Sequence, residues 1–458
     1  MARECEIILA SIFTVQLVDN RFNNIHPGLS QEEALRILAL PVDRLEASSD
    51  RYMAASHLIN FPGTQSEQAL LHLIADTDNT QATRLARRKA VEVLARLGCQ
   101  EAMASIGKCL QSEDHYLVEN AAWALLQLGC NDQLIIDHMI TLLVDPAQNR
   151  RVLIQSLAGL GVARALPTIY PLQEESSPGV RGAAISAVST LGGSSEKIGE
   201  LAQHLFLPNQ MDRQSAIQDI IDAGAGQLLP DVLRCPVSPV FRMRAVKNLQ
   251  QQAEIHHTNF SLVDSLDRLL WDDPDRLQLV HQYDQTPEPS FLIDELFGTD
   301  FSRCYLALQT LFRCDGQMLW PLLEKRWHEE AHNDYGAHYF FMRLFGGVES
   351  WGVQRSNVIH LTEEAIFNRR PQFMKSRSAA ILSLLRLQPE RLQYLLAKLL
   401  NPAIESNWEC RYATWIAYEE LRQAQPALDN PELHQIVESY DPDPFVQLRK
   451  QRIVNIIR

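Results

Sequence analysis

The sequence predicts an all-helical solenoid, a stack of helix pairs, and three observations carry that prediction. Glycines recur at spacings of 31, 32, 31 and 32 residues, at Gly98, Gly129, Gly161, Gly192 and Gly224. Ahead of each, apolar residues fall at the period of an α-helix. No stretch alternates in strand fashion and no glycine-rich loop follows one, so a nucleotide-binding α/β fold has no footing.

Each glycine suits the left-handed residue just past a helix end, where a side chain would clash. Eight, seven, four and one residues before it stand Ala90, Val91, Leu94 and Leu97 in the first segment. The next segments give Ala121, Ala122, Leu125, Leu128; Leu153, Ile154, Leu157, Leu160; Ala184, Ile185, Val188, Leu191; and Ala216, Ile217, Ile220, Ala223. This is one apolar face, and the alanines in its first turn let neighbouring helices approach closely. A period of this size holds two short helices and two turns, the unit of a HEAT-like repeat, stacked into a curved superhelix. The frame extends less regularly to Asp50–Phe61, Arg242–Gln252, Arg377–Leu387 and Arg411–Leu421. Between about 253 and 300 it fades, and Asp272-Asp273-Pro274 and Thr286-Pro287-Glu288-Pro289 look like linkers or an irregular repeat. The expected division is therefore two arms, residues 1–255 and 256–458. Met1–Val18 is expected to form a first helix rather than a signal peptide, because Glu4 and Glu6 interrupt its apolar run.

A formal charge of −14 argues against a general nucleic-acid binder, which needs a basic stripe to displace counterions. The chain's 458 residues include no uncharged apolar run long enough to span a bilayer. Eight cysteines without a CxxC pair read as small core residues of a reducing, cytoplasmic compartment.

Eleven residues before each glycine an arginine recurs: Arg87, Arg150, Arg181, Arg213, and by extension Arg51, Arg242, Arg377 and Arg411; Val118 breaks the series. Arginines so placed tie adjacent turns together through carboxylates and carbonyls. Ten, six and two residues before the glycine lies a polar stripe: Arg88/Glu92/Arg96, Glu119/Trp123/Gln127, Arg151/Gln155/Gly159, Gly182/Ser186/Thr190 and Gln214/Gln218/Asp222. On the inner helices of a solenoid it would line the usual binding wall. Trp123 stands out there, either as a stacking platform beside Glu119, Arg88 and Arg151 or as a filler between repeats.

A second cluster runs from Trp327 to Tyr339. It contains a literal HExxH, His328-Glu329-x-x-His332; Glu349 could be a third ligand, but no strand pattern precedes the helix, so no metal site is expected. Asp334, Tyr335 and His338 offer an acid, a phenol and an imidazole within one turn, as a proton-handling group would. The aromatic helix of Trp408, Tyr412, Trp415 and Tyr418 reads as core. Arg369-Arg370 and Lys375–Arg377 read as a small solvated basic patch.

The phrase Glu119-Asn120-Ala121-Ala122-Trp123-Ala124-Leu125 resembles the repeat signature of the phycobilisome lyase family, as do Arg51–Leu58 and Arg87-Arg88-Lys89-Ala90-Val91. The chain is similar to the E/F-type bilin lyases of cyanobacteria, in particular long single-chain forms acting on phycoerythrins. The likeness is best over residues 45–250; beyond 255 it rests on length and helical style. Related repeats occur in scaffolds and in deoxyhypusine hydroxylases, but that enzyme needs paired His-Glu motifs and His328-Glu329 stands alone. The resemblance implies attachment of an open-chain tetrapyrrole, phycoerythrobilin, by a thioether to a cysteine of a phycoerythrin-type α subunit, with isomerisation to phycourobilin left open. The bilin is substrate, and no cofactor is expected. On this reading Trp123 stacks on the bilin, Arg88 and Arg151 pair with its propionates, and the proton is supplied by Glu119, Asp334 or Tyr335, with His338 in the same cluster. A non-catalytic repeat scaffold or chaperone is the alternative, and a metal-dependent hydrolase built on His328-Glu329-His332 is a third reading.

Overall fold

The computed structural model describes residues 28–256, 260–424 and 431–457, so the helix expected at Met1–Val18 lies outside the described residues. Among the described residues every regular element is helical and no strand occurs. The chain divides into two compact units, Met1–Ser195 and Glu196–Arg458.

In the first unit, helices Asp50–His57, Gln81–Arg96, His115–Gln127, Arg150–Gly159 and Pro178–Thr190 pack each on the next as one row. A second row alternates with it: Thr64–Ala75, Met103–Cys109, Gln133–Leu142 and the short turns from Leu166 to Glu174. These are the expected helix pairs. Side-chain caps start many of them, including Thr80, Asp114, Asp132 and Asn149.

The recurrent glycines end helices as expected, with φ +72° at Gly98, +67° at Gly129, +70° at Gly161 and +89° at Gly192 in the first row, and +61° at Gly224 in the second unit. Each end closes by the same pair of bonds. At Gly98, the Cys99 N–H donates to Leu94 C=O and the Gly98 N–H to Ala95 C=O, both at 3.1 Å. Cys130 on Leu125, Val162 on Leu157, Gly193 on Val188 and Ala225 on Ile220 repeat the longer bond at 2.8–3.0 Å. This arrangement puts the residue after the glycine against the helix's own buried face, which is why Cys99, Cys130, Val162 and Ala225 are buried. Cys99 and Cys130 are thus small apolar plugs, and six of the seven described cysteines are buried. Gly107 and Gly159 serve differently: a Cβ there would meet Ile135 or Leu126 at 2.6 Å, so they mark close approach between neighbouring helices. The last segment of the polar stripe in this unit is largely inaccessible, because Gly182 and Ser186 are buried.

Most of the arginines eleven residues before the helix ends are structural ties; Arg181 is the exception, its Nε buried with no hydrogen-bond partner among the described residues. Arg51 donates to Leu40 C=O, Asp76 and Thr83 at 2.7–3.0 Å. Arg87 donates to Ile74 C=O, and Arg150 pairs with Glu175 at 2.9 Å. In the second unit Arg213 holds the carbonyls of Leu207 and Pro208 and the Asp300 carboxylate. Arg377 bonds Ile366 C=O and Glu405, and Arg411 binds Asp441 through two bonds and the carbonyls of Glu405 and Ser406. Val118, which breaks the series, is simply buried in the apolar layer.

The second unit follows the same logic with longer helices. Gln210–Asp222 packs on Pro239–His256 and that on Leu262–Trp271. Tyr335–Gly347, Met374–Leu387, Trp408–Ala424 and Pro444–Ile457 pack in succession. Residues 277–288 carry no regular structure, matching the faded repeat. Asp272, however, is no linker residue. At φ +39° it ends its helix in the left-handed region, and its buried carboxylate accepts from Arg242, Tyr305 Oη at 2.6 Å and Tyr339 Oη. The solvated patch holds at Arg369 and Arg370, which are exposed and reach the carbonyls of Ile404 and His332, but not beyond: Arg377 is buried on Glu405, and Lys375 lies among aromatic rings.

A left-handed glycine replaced by alanine costs about 1–2 kcal/mol. Gly161→Ala is therefore expected to lower the urea midpoint, whereas Gly199→Ala, where φ is ordinary and the space open, should leave it nearly unchanged.

Candidate functional site

The polar stripe of the first unit is accessible over three successive helices, and the repeat containing Trp123 sits in the middle of it. Trp123 is half-buried, packed by one edge on the core, with the Arg96 guanidinium 5.6 Å from its ring centre. Its indole N–H makes no hydrogen bond among the described residues, while its ring packs partly against the core. Glu119, one turn earlier on the same face, is half-buried and has no hydrogen bond or ion pair among the described residues.

Both arginines assigned to this face are engaged. Arg88 makes two bonds to Asp114, at 2.9 and 2.7 Å, and lies 4.6 Å over the Tyr116 ring. Asp114 also caps helix His115–Gln127; burial pushes its carboxyl up, but the Arg88 bonds and charge hold it below its ordinary value. Arg151 donates to Gly179 C=O at 2.7 Å on the next helix. A ligand carboxylate would have to share or replace these partners.

The structure separates the three residues of the second cluster. Asp334 caps helix Tyr335–Gly347, accepting from the N–H groups of Gly336 and Ala337 at 2.8 and 2.7 Å. Tyr335 is 62% exposed. His338 is 2% exposed, with Trp327 and Phe373 ring centres 5.1 and 4.5 Å away. Burial pushes its imidazole down to about 4, helped by Arg370 and His332, so it is neutral at pH 7. Residues 335 and 339 share a helix face while 338 turns to another; no common proton-handling group forms. The HExxH falls on a π-helical turn, Trp327–Ala331, with His332 Nδ1 2.9 Å from Trp327 C=O and Glu329 beside Arg326. Among the described residues no three His, Cys, Asp or Glu side chains gather to hold a metal ion.

What the face shared by Tyr335 and Tyr339 does reach is Lys375. Its Nζ lies 5.6 Å from the Tyr335 ring centre, 4.9 Å from Tyr339 and 5.1 Å from Phe301. Burial pushes the amine down to about 8, against the pull of Asp272, Cys304, Asp334 and Glu409. Lys375 borders a small cavity of about 20 Å³ in the second unit, together with Tyr339, Ser378 and Glu409. Val240, Met243, Leu269 and Leu270 supply its apolar wall. Burial pushes the Glu409 carboxyl above its ordinary value, opposed by Lys247 and Lys375. Sequence reasoning passed over this group, because Lys375 resembled a surface lysine and Glu409 one polar residue in an aromatic helix.

Comparison with known proteins adds the family. The chain is 43% identical, over 88% of its length and 97% of the relative's, to the bilin biosynthesis protein CpeY of Synechococcus sp. strain WH8020. The chain belongs to the E/F-type phycobilin lyase family. Within that family it is also 37% identical, over 88% of its length and 94% of the relative's, to phycocyanin operon protein Y of Pseudanabaena tenuis, which is uncharacterized. The phycocyanobilin lyase subunit alpha of Thermosynechococcus vestitus matches 49% of this chain and 90% of its own length at 31% identity. The CpcE–CpcF complex of phycocyanin lyase from Nostoc sp. PCC7120 superposes on 53% of this chain and 94% of that one, with a TM-score of 0.44 and 23% identity. No family model matches the chain. No helix among the described residues is long and apolar enough to cross a membrane.

His338 has a consequence for stability. Its folded value, about 4, lies below the ordinary 6.5, so between these pH values the unfolded chain binds more protons. Stability is therefore lost as pH falls from 6.5 to 4, by about 3 kcal/mol. His338→Phe, which keeps the aromatic box, should flatten this part of a urea-midpoint profile.

Proposed function

We propose that this protein is a phycobilin lyase attaching phycoerythrobilin to a cysteine of a phycoerythrin-type α subunit, in the cytoplasm. The observation that supports it is the 43% identity to a bilin biosynthesis protein along nearly the whole of both chains. In the attachment the partner's thiol adds across the exocyclic double bond of ring A. An S–H bond breaks, an S–C bond forms at one carbon, and a proton arrives at its neighbour, with no net oxidation or reduction.

Three tasks fall to the protein: hold the long conjugated ligand, deliver a proton at one carbon, and bring the acceptor thiol to the other. Trp123 suits the first, since its indole is partly accessible on a polar face. Glu119 suits the second, because its carboxyl is not spent on another partner among the described residues. Arg88 and Arg151 sit on the flanking helices, and we assign them to the propionates through exchange with Asp114 and the Gly179 carbonyl. Asp334 and Tyr335 remain candidate acids beside Lys375; His338, neutral and enclosed, does not suit proton delivery. Isomerisation to phycourobilin would shift a proton along the same chromophore and needs an acid and a base.

Co-expression with a phycoerythrobilin supply and α subunits tests the reading. Covalent colour that depends on this protein is expected, and the absorbance of the product tells phycoerythrobilin from phycourobilin. Colourless subunits in every pairing would favour a scaffold or chaperone. Glu119→Gln should slow attachment about 100-fold or more, and Trp123→Ala should weaken bilin retention. Unchanged attachment in both variants would remove this face from the mechanism.

A further inference from the structure

Three helices of the second unit meet at one cavity. Tyr335–Gly347 ends beside it, Arg355–Phe367 begins there, and the last turn of Met374–Leu387 closes it. Its volume is about 590 Å³, well inside the range of small-molecule pockets, ~300–1,000 Å³. Val348, Trp351 and Leu387 are buried and form its floor. Trp351 is fixed there, because its indole N–H donates to Phe345 C=O at 2.9 Å and its ring meets those of Trp320 and Phe345 edge-on. The charged groups on the wall are Arg355, Arg386 and Glu349.

Arg386 departs from the habit of arginines in this fold. It makes no hydrogen bond or ion pair among the described residues, and its guanidinium lies 4.6 Å from the Trp271 ring centre instead. That stack orients a planar fork of donors without engaging any of its five N–H groups. Burial holds the Arg386 pKa below its ordinary value and the Arg343 charge adds to this; Glu420 and Asp273 pull the other way without pairing with it. Arg355 gives Nη2 to Leu387 C=O and has no other hydrogen bond or ion pair among the described residues. Glu349, the one carboxylate on the wall, pairs with neither arginine there. We propose that this cavity binds the carboxylate of a small acid with an apolar body, with Arg386 and Arg355 as its partners and Glu349 as a like charge that limits affinity. A guanidinium fork offers a carboxylate two parallel bonds, which a lysine cannot. A concave site with a buried apolar floor suits a small ligand better than an extended peptide, which needs a groove or a sheet edge. Taking the acid to be an open-chain tetrapyrrole, with a propionate at the arginines, rests on the lyase reading above. The second unit then carries a carboxylate site of its own, besides the face around Trp123.

In the test, arginines of the full-length protein are labelled with phenylglyoxal and mapped by mass spectrometry. Labelling is followed against rising phycoerythrobilin or its dimethyl ester, whose propionates carry no charge. Arg386 and Arg355 should be shielded by the acid at concentrations about tenfold or more below those the ester needs. In Arg386→Gln, shielding of Arg355 should need about tenfold or more acid than in the parent. That variant is expected to melt close to the parent, because no hydrogen bond is lost. Glu349→Gln should move shielding the other way, to lower acid concentration, a direction that general loosening of the fold does not produce. Shielding of Arg386 should persist in Trp123→Ala, since the two sites are separate. Arg386 labelled equally with and without the acid, or equal shielding by acid and ester, overturns the proposal; so does unchanged shielding of Arg355 in Arg386→Gln. These readouts are separate from transfer: colour delivered to subunits with no shielding of Arg386 sinks the cavity and keeps the lyase. Shielding by the acid, with no transfer to any subunit, does the reverse.

Discussion

A buried guanidinium at the start of a helix is the constraint on which much of this repeat architecture depends. Arg51, Arg213, Arg242, Arg377 and Arg411 are all nearly inaccessible, and each places terminal guanidinium donors on protein acceptors because water cannot reach them. They do so by gripping carbonyls of the loop just before their helix, or a carboxylate from the next turn of the stack, and several do both. The tie thus sets how far one helix pair can slide on the next. Burying such pairs gains little net stability over apolar packing, but breaking one leaves an orphaned charge. Their effect is to fix register.

The same economy of charge bears on function. Most positive groups that look available in the sequence are occupied in the fold. Arg88 holds an N-capping aspartate and Arg151 a backbone carbonyl, so the face around Trp123 offers an aromatic plane and a free carboxyl more readily than a free cation. In the other unit Lys375 and Lys247 lie beside aromatic rings, with no hydrogen bond or ion pair to either amine among the described residues. Abundance of arginine on a face is a poor guide to anion binding when arginine is also the mortar of the repeat.

The helical repeat, its register and its structural arginines were legible in the sequence because each follows from local rules. Glycine alone tolerates the left-handed helix end without cost, and the apolar period of 3.6 marks the buried face, so Gly98 through Gly224 announced five helix ends and their cores. Two readings failed for the opposite reason. Asp272 looked like part of a polar linker because its three partners come from residues 30 to 67 positions away. Asp334, Tyr335 and His338 looked like one group because neighbours in sequence were assumed to be neighbours in space; one turn of helix points them to a backbone cap, to solvent and to an aromatic box.

By itself, then, the sequence determined the helix pairs, their glycine-ended register, the buried arginine series and, through its repeat phrases, the likeness to bilin lyases. Only the tertiary structure decided which charges are spent and which are left over. Whether Lys375 is solvated or enclosed depends on Phe301, Tyr335 and Tyr339 arriving from two other helices. Whether Glu409 is a surface acid or a raised carboxyl depends on the burial around it. Pairing and desolvation are properties of distance in space, and no spacing along the chain encodes them.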